Sequence, residues 1–360
     1  MEPQRAIRVD KIQQGILGKR TLFVILSVLL LFLTCLALTL GPARLSLNTV
    51  IKAGAGSLPG IKELFPGEVE TVDRIILFSV RLPRIFLSVL VGAALAAAGT
   101  VYQGLFRNPM ADPYVLGTSS GAALGATIGF ALNSDLELFS FNAVSILAFA
   151  GALLATVLVY NLARVGRRVP LTVLLLSGIA VAAFLSSANS LALVLQGSDM
   201  QQIVFWLMGG FSTCRWLHIQ VVLPYIIAGF VGIAVYARDL NIMLLGEEKA
   251  QQLGVDIRRL QLILTLSASL LVAAAVSVSG IIGFVGLVVP HMMRLLTGPD
   301  HRLLFPASAL AGGIFLLAAD TAARTVLAPT ELPVGVITAF LGAPFFIYLL
   351  RKNKRAGTAF

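Results

Sequence analysis

Charge is what this sequence lacks first. Only 12% of its residues are Asp, Glu, Lys or Arg, while 58% are hydrophobic and the mean hydropathy is +0.91. Soluble domains carry about a quarter charged residues, so the soluble globular class is excluded. Cysteine is nearly absent. Cys35 sits inside an apolar run and Cys214 stands alone, which leaves neither a metal spacing nor a disulfide framework. There is no HExxH, and no GxxxxGK[ST]. GILGKRT at 15–21 has the wrong glycine spacing for a phosphate loop, so no nucleotide site is visible. Period-two alternation of the barrel kind is missing, which makes helices the default for backbone in lipid. Aromatic and basic residues do not alternate as they do in a single-strand nucleic-acid groove. The net charge of +10 therefore points to basic loops on one side of a membrane, with no nucleic-acid partner.

What is present is a succession of apolar runs. They support about ten spans, at 21–41, 82–105, 114–132, 141–163, 171–195, 219–237, 260–278, 282–296, 305–324 and 333–350. The third, eighth and ninth are short or interrupted by Gly and Pro. The expected fold is an all-α membrane protein. The run from Thr21 is too long for a signal-peptide core and no A-x-A site follows, so it reads as a retained first span. Residues 1–20 and 352–360 are cytoplasmic tails around a single transmembrane domain, 21–351. Within it, 42–80 holds Gly54, Gly56, Pro59, Gly60, Pro66 and Gly67 and reads as an external loop with little regular structure.

Orientation follows from the basic residues. With both termini cytoplasmic, nineteen of the 27 Lys and Arg lie inside, among them Lys19, Arg20, Arg164, Arg167, Arg168, Arg258, Arg259, Arg294, Arg302 and Arg351. The eight outside are Arg44, Lys52, Lys62, Arg74, Arg81, Arg84, Arg215 and Arg324. That bias favours both termini in the cytoplasm. There is also an internal echo: Gly99 precedes Pro109 by ten residues, and Gly280 precedes Pro290 by ten. It suits an inverted repeat of oppositely running spans, and it equally suits coincidence.

Several local patterns have two readings. GTSSG at 117–121 matches G-x-S-x-G, but Ser119 opens an apolar helix and not the strand–turn–helix of a nucleophile elbow, so it reads as a helix start with a close-packing face. Asp320 is the one clear charge within a span, and Arg324 four residues on shares its helix face, a pairing that reads as structural. Thr172, Ala183, Ser186 and Ser190 fall on one side of the fifth span, either lining an aqueous path or letting helices approach closely. In GIIGFVGLVVPHMMR (280–294), Pro290 is expected to break or kink the span, and His291 reads as a hydrogen-bonded structural residue. Finally, GEEKAQQLGVD at 246–256 is a polar island in an apolar chain, on the cytoplasmic side by the charge count. Gly246 and Gly254 bracket a short surface helix with Glu248 and Gln252 at i,i+4. Ala250, Leu253 and Leu245 are expected to form a small apolar strip. The helix is either a solvated loop or a docking element for a partner's groove.

Taken together, these motifs resemble the FecCD-type permeases, the membrane subunits of type II ABC importers for cobalamin, haem and ferric siderophores. The resemblance is carried by RLPRIFLSVLVGAALAAAGTVYQGLFRNPMADPYVLG (81–117), GEEKAQQLGVD, GFVGLVVPHMMR (283–294), DHRLLFPASALAGG (300–313) and ELPVGVITAFLGAPFFIYLL (331–350). It covers roughly 75–352 in unbroken order. It implies a ten-helix subunit that pairs with a second copy, two cytoplasmic ATPase subunits, and an extracytoplasmic substrate-binding protein, in a prokaryotic cell membrane (the inner one in a Gram-negative cell). It implies no catalytic residue and no cofactor in this chain, ATP and Mg being held by the partner ATPase. By the same resemblance, segment 239–259 is the cytoplasmic coupling segment, with Leu245, Gly246, Glu247, Glu248, Ala250, Leu253 and Gly254 on the ATPase. Arg81, Arg84 and Arg324 dock the binding protein. Asn108, Met110, Leu171 and Thr172 form the cytoplasmic gate, and Ala183, Ser186 and Ser190 line the translocation path. The implied cargo is an iron chelate, a ferric siderophore or haem, ahead of cobalamin, with molybdate a minor candidate. The different-class alternatives are an ion-coupled secondary transporter or channel, and an intramembrane hydrolase acting through Ser119.

Overall fold

The computed structural model describes residues 2–43, 45–56, 69–132, 143–166, 168–196 and 200–355; for 2–17, 196, 349–350 and 352–355 it describes the backbone only. Arg44, Lys62, Arg167 and the Pro and Gly residues at 59–67 lie outside the described residues. The described chain is helical apart from turns and one isolated bridge between Val165 and Arg168.

A helix occupies each expected span. These are α1 (Glu2–Thr39), α4 (Leu82–Leu105), α5 (Thr118–Ala131), α6 (Ala143–Leu162), α7 (Leu171–Gln196), α9 (Trp216–Met243), α11 (Ile257–Ser279), α12 (Val285–Thr297), α13 (His301–Thr325) and α14 (Val334–Arg355). Short helices complete the set: α2 (Leu47–Ala55), α3 (Thr71–Ile75), α8 (Met200–Leu207) and α10 (Glu247–Gln252). Among the described residues, seven helices are long and apolar enough to cross a membrane, and α12 and the apolar part of α14 are shorter.

Four expectations are corrected. The described part of the segment after α1 is not irregular: Ser46 caps α2 by accepting from the Thr49 amide at 3.0 Å, and Ala53 and Leu45 bury against Leu77. The second span begins early, as α3 runs into α4 through a π-helical stretch, Ile76–Arg81. Pro83 in the first turn of α4 offers no amide, and Leu82 reaches back five residues to the Leu77 carbonyl. The eighth span does not break at Pro290, which lies inside α12. The break comes earlier, at Gly280–Phe284, where Gly280 has φ +66° and Phe284 φ +68°. The ninth span, expected to be interrupted, is a continuous helix through Pro306.

Small residues decide which helices lie innermost. Ala94 to Ala98 of α4 and Val272 to Val276 of α11 are fully buried, whereas Leu31 and Phe32 of α1 and Phe184 and Leu191 of α7 face outward. The echo glycine Gly99 explains part of this. A Cβ there would fall 1.8 Å from the Gly286 carbonyl oxygen of α12, and one at Gly92 would fall 2.2 Å from that of Gly312 in α13. Backbone therefore meets backbone on two faces of α4. Gly99→Leu should force α4 and α12 apart and cost well over the ~1–3 kcal/mol of ordinary overpacking. Gly54→Ala, with open space around the added carbon, is the control. Thermal melts in detergent should show a large loss for the first and parental behaviour for the second.

Candidate functional site

Near the start of α4 lie three buried arginines, two of which meet at Asp320. Arg84 is gripped on two sides: Nε lies 3.0 and 3.1 Å from the two Asp320 carboxylate oxygens and Nη2 2.8 Å from Oδ1. Nη1 donates to both oxygens of Glu331, at 3.0 and 2.9 Å. Arg324 Nε stands 3.2 Å from Asp320 Oδ2 but is not aimed into a hydrogen bond. Arg81 turns the other way and donates to the Leu38 and Ala43 carbonyls at the end of α1. The residues are 3%, 5% and 3% exposed for Arg81, Arg84 and Arg324, and Asp320 is wholly buried. Two guanidiniums and two carboxylates balance in the Arg84–Asp320–Arg324–Glu331 cluster, which is what low-dielectric surroundings require. The Asp320–Arg324 pair expected from i,i+4 spacing is present, yet Arg84 is Asp320's better partner.

Glu331 was not singled out from the sequence. The available signal was scarcity: an acidic residue just ahead of the last span, in a chain with only 17 carboxylates. Its side chain keeps 32% exposure, and with Arg84, Trp206, Ser212, Thr213 and His218 it lines a cavity of about 460 Å³.

The opposite end of α4 is about 36 Å away for its 24 residues. Here the chain passes through Arg107 at φ +49° into the loop expected to form the gate. Asn108 Oδ1 accepts the Met110 amide at 2.9 Å, which closes a tight Asx turn. Asp112 does the same for Tyr114 at 2.7 Å, and burial raises its pKa while that amide lowers it. The loop's later half crosses α7, where the Val115 carbonyl and Gly117 abut Gly178 and Ala182. Tyr114 Oη donates to the Ile282 carbonyl at 2.9 Å, in the unwound stretch ahead of α12. Leu171, part-buried against the core, and the exposed Thr172 open α7. Ala183, Ser186 and Ser190 are all exposed along it, with Ser186 Oγ 3.1 Å from Ser120 Oγ of α5.

The polar island is α10 and its flanks. Gly246 at φ +117° and Gly254 at φ +85° bracket it, conformations that side chains resist. Asp256 then caps α11 through the Arg259 amide at 3.0 Å. The expected apolar strip is split. Ala250 is fully buried against the chain's own core, while Leu245 and Leu253 are each 61% exposed. Both leucines lie outside α10, Leu245 ahead of the Gly246 cap and Leu253 at the C-cap, so helical spacing does not hold them on Ala250's face. His291, expected to be hydrogen-bonded, has a buried Nδ1 without a partner among the described residues. GTSSG opens α5, whose Gly121 and Gly125 press on the α6 backbone.

The model of the FecCD transport family matches residues 29–352. The chain belongs to the FecCD transport family. This FecCD permease is 48% identical over 286 residues to the cobalamin import system permease protein BtuC of Halobacterium salinarum, covering 79% of this chain and 76% of that one. It is 43% identical over 290 residues to the hemin transport system permease protein HmuU of Yersinia pestis, covering 78% and 84%. A metal-chelate type ABC transporter solved in an inward-facing conformation superposes with a TM-score of 0.80 at 30% identity, covering 92% of this chain and 99% of that one. The FecCD permease is therefore the membrane-spanning transport component of an ABC importer, and a multi-pass protein of the cell membrane.

Proposed function

We propose that this permease moves a bulky metal chelate from an extracytoplasmic substrate-binding protein into the cytoplasm by alternating access. Two copies pair with two ATPase subunits, and both termini are cytoplasmic. The loaded binding protein docks at the Arg81–Arg84–Arg324 end. The chelate passes between the α7 helices of the two copies, along Ala183, Ser186 and Ser190. ATP closes the ATPase dimer, and the segment around α10 passes that movement to the gate at Asn108, Met110, Leu171 and Thr172. ATP and Mg reside on the partner, and the driving energy comes from contacts that differ between the two states.

The observation that carries the cargo class is the similarity to permeases named for cobalamin and hemin. An iron chelate, haem or a ferric siderophore, is the first reading. Cobalamin import is the second, favoured by the 48% identity to a permease named for it. Equilibrium titration of the binding protein encoded with this permease, using haem, a ferric siderophore and cyanocobalamin in turn, tests them. If none of the three binds, the metal-chelate reading fails.

The docking role has its own test. Arg81→Glu with Arg84→Glu should weaken binding-protein affinity by about tenfold or more, as close charge pairs across interfaces do, measured on the fraction that folds and assembles with the ATPase, because the reversal at Arg84 also sets a third carboxylate against Asp320 and Glu331. Unchanged affinity for the binding protein would remove these arginines from the interface. Because Arg84 is already held by Asp320 and Glu331, docking by this route requires an incoming carboxylate to compete for it, with the partly exposed Glu331 the first to yield.

A further inference from the structure

DHRLLFPASALAGG carries the family resemblance but no role in the mechanism above. Its first two residues sit at a junction of three helices. Asn241, in the last turn of α9, places one carboxamide among three groups of the α13 start. Its Nδ2 donates to Asp300 Oδ1 at 2.7 Å. Its Oδ1 accepts the His301 backbone amide at 2.8 Å and faces His301 Nδ1 at 2.8 Å. Asp300 Oδ1 also caps α13 through the Arg302 amide at 3.0 Å. His301 is 2% exposed, and its ring lies on α4: a Cβ at Gly104 would come within 2.5 Å of His301 Nε2.

What lies on either side gives the junction its meaning. After Asn241 the chain reaches α10 through bonded turns, Leu245 amide to Ile242 carbonyl at 3.0 Å and Gly246 amide to Met243 carbonyl at 3.1 Å, so the connection is short and stiff. After Gly104 the chain enters the gate loop, with the Asn108 amide on the Gln103 carbonyl at 3.1 Å. Helices α4 and α13 run antiparallel with backbones in contact at Gly92 and Gly312, and Arg84 and Asp320 clamp them at the far end. A packed pair of this kind moves as one body, since sliding would part the glycines and strand buried charges.

We propose that Asn241 and His301 are positioning residues that latch the coupling segment's lever, the end of α9, to the α4–α13 rod, and so connect the ATPase end of the permease to the arginine end. If the end of α9 is displaced, α13 must follow, or else the His301 amide loses its partner and the Asp300 carboxylate keeps only the Arg302 amide, in a part-buried place. Coupling of this kind is reciprocal in binding free energy: binding-protein docking changes the ATPase's ATP affinity as ATP changes docking, and the hydrolysis rate reads out the shifted state. The proposal rests on the reading that α10 meets the ATPase and that the arginines meet the binding protein.

The test uses the assembled permease–ATPase complex in proteoliposomes, with the binding protein and ATPase encoded alongside it. In Asn241→Leu and the milder Asn241→Ser, the complex should assemble, dock the binding protein and keep its basal ATPase rate. Stimulation of hydrolysis by the binding protein should fall by about fivefold or more. His301→Asn, whose amide nitrogen can replace Nδ1, should retain most of the stimulation that His301→Ala loses. Stimulation and uptake at parental levels in both Asn241 variants would overturn the latch. So would failure of both to assemble, which would make the junction a folding element only. Docking that ignores charge reversal at Arg81 and Arg84 in the parent would fault the docking reading and not the latch.

Discussion

Asp320→Ala should be the most damaging single substitution in this permease, with purified protein recovered at a small fraction of the parent's yield and melting far below it in detergent. Asp320 is wholly buried and takes the charge of two guanidiniums, Arg84 at 2.8 Å and Arg324 at 3.2 Å. Without it, Arg84 keeps only Glu331, and Arg324 keeps only a long contact of 3.4 Å to the Thr321 hydroxyl. Removing one partner from a buried ion cluster costs roughly 3–5 kcal/mol, because the charge left behind has nowhere to be solvated. Arg324→Leu removes one of the two cations that share Asp320 and should hurt less. Asp320→Asn retains hydrogen-bond acceptance but not the charge, and should fall between Asp320→Ala and the parent. A melting temperature for Asp320→Ala within a degree or two of the parent, about what a ΔΔG below 1 kcal/mol gives in a chain this long, would mean the cluster is dispensable.

Leu245→Asp combined with Leu253→Asp should separate the ATPase from a normally folded permease. Both leucines are 61% exposed beside α10, and a pair of exposed large apolar side chains flanking a short polar helix is the kind of anchor a partner's groove takes. Interface anchors of this type cost about 2 kcal/mol or more each when lost, enough to dissociate a complex of moderate affinity. The expected result is unchanged detergent stability, loss of ATPase co-purification and loss of ATP-driven uptake. Retained co-purification with normal uptake would take these residues out of the interface. Ala250→Trp probes something else: Ala250 packs into the permease's own core, so tryptophan there should lift α10 from its seat and lower stability as well as coupling.

The spans were legible because lipid imposes a long, unbroken apolar run, and about twenty residues of it survive any detail of packing. The break before α12 was not. Pro290 looked like the interruption, but a proline tolerates a helix whose freed carbonyl finds other partners, while Gly280 and Phe284 adopt left-handed conformations that only surrounding structure can hold. The short α2 was missed for a similar reason. Its stability comes from Ala53 and Leu45 packing on Leu77, residues far apart in sequence.

The same division runs through the functional residues. Composition, the placement of Lys and Arg, and ordered motifs were enough to make this chain a multi-helix membrane permease and to mark GEEKAQQLGVD, RLPR and Asp320–Arg324 as places where charge stands for a reason. These are local or summed properties, and a one-dimensional string contains them. Which carboxylate Arg84 chooses, that Glu331 completes the cluster, that Ala250 faces inward while Leu245 and Leu253 face out, and that Asn241 meets His301 were decided only in three dimensions. Each depends on the angle and distance at which helices distant in sequence cross, and those follow from where glycine lets two backbones touch, as Gly92 does with Gly312 and Gly99 with Gly286.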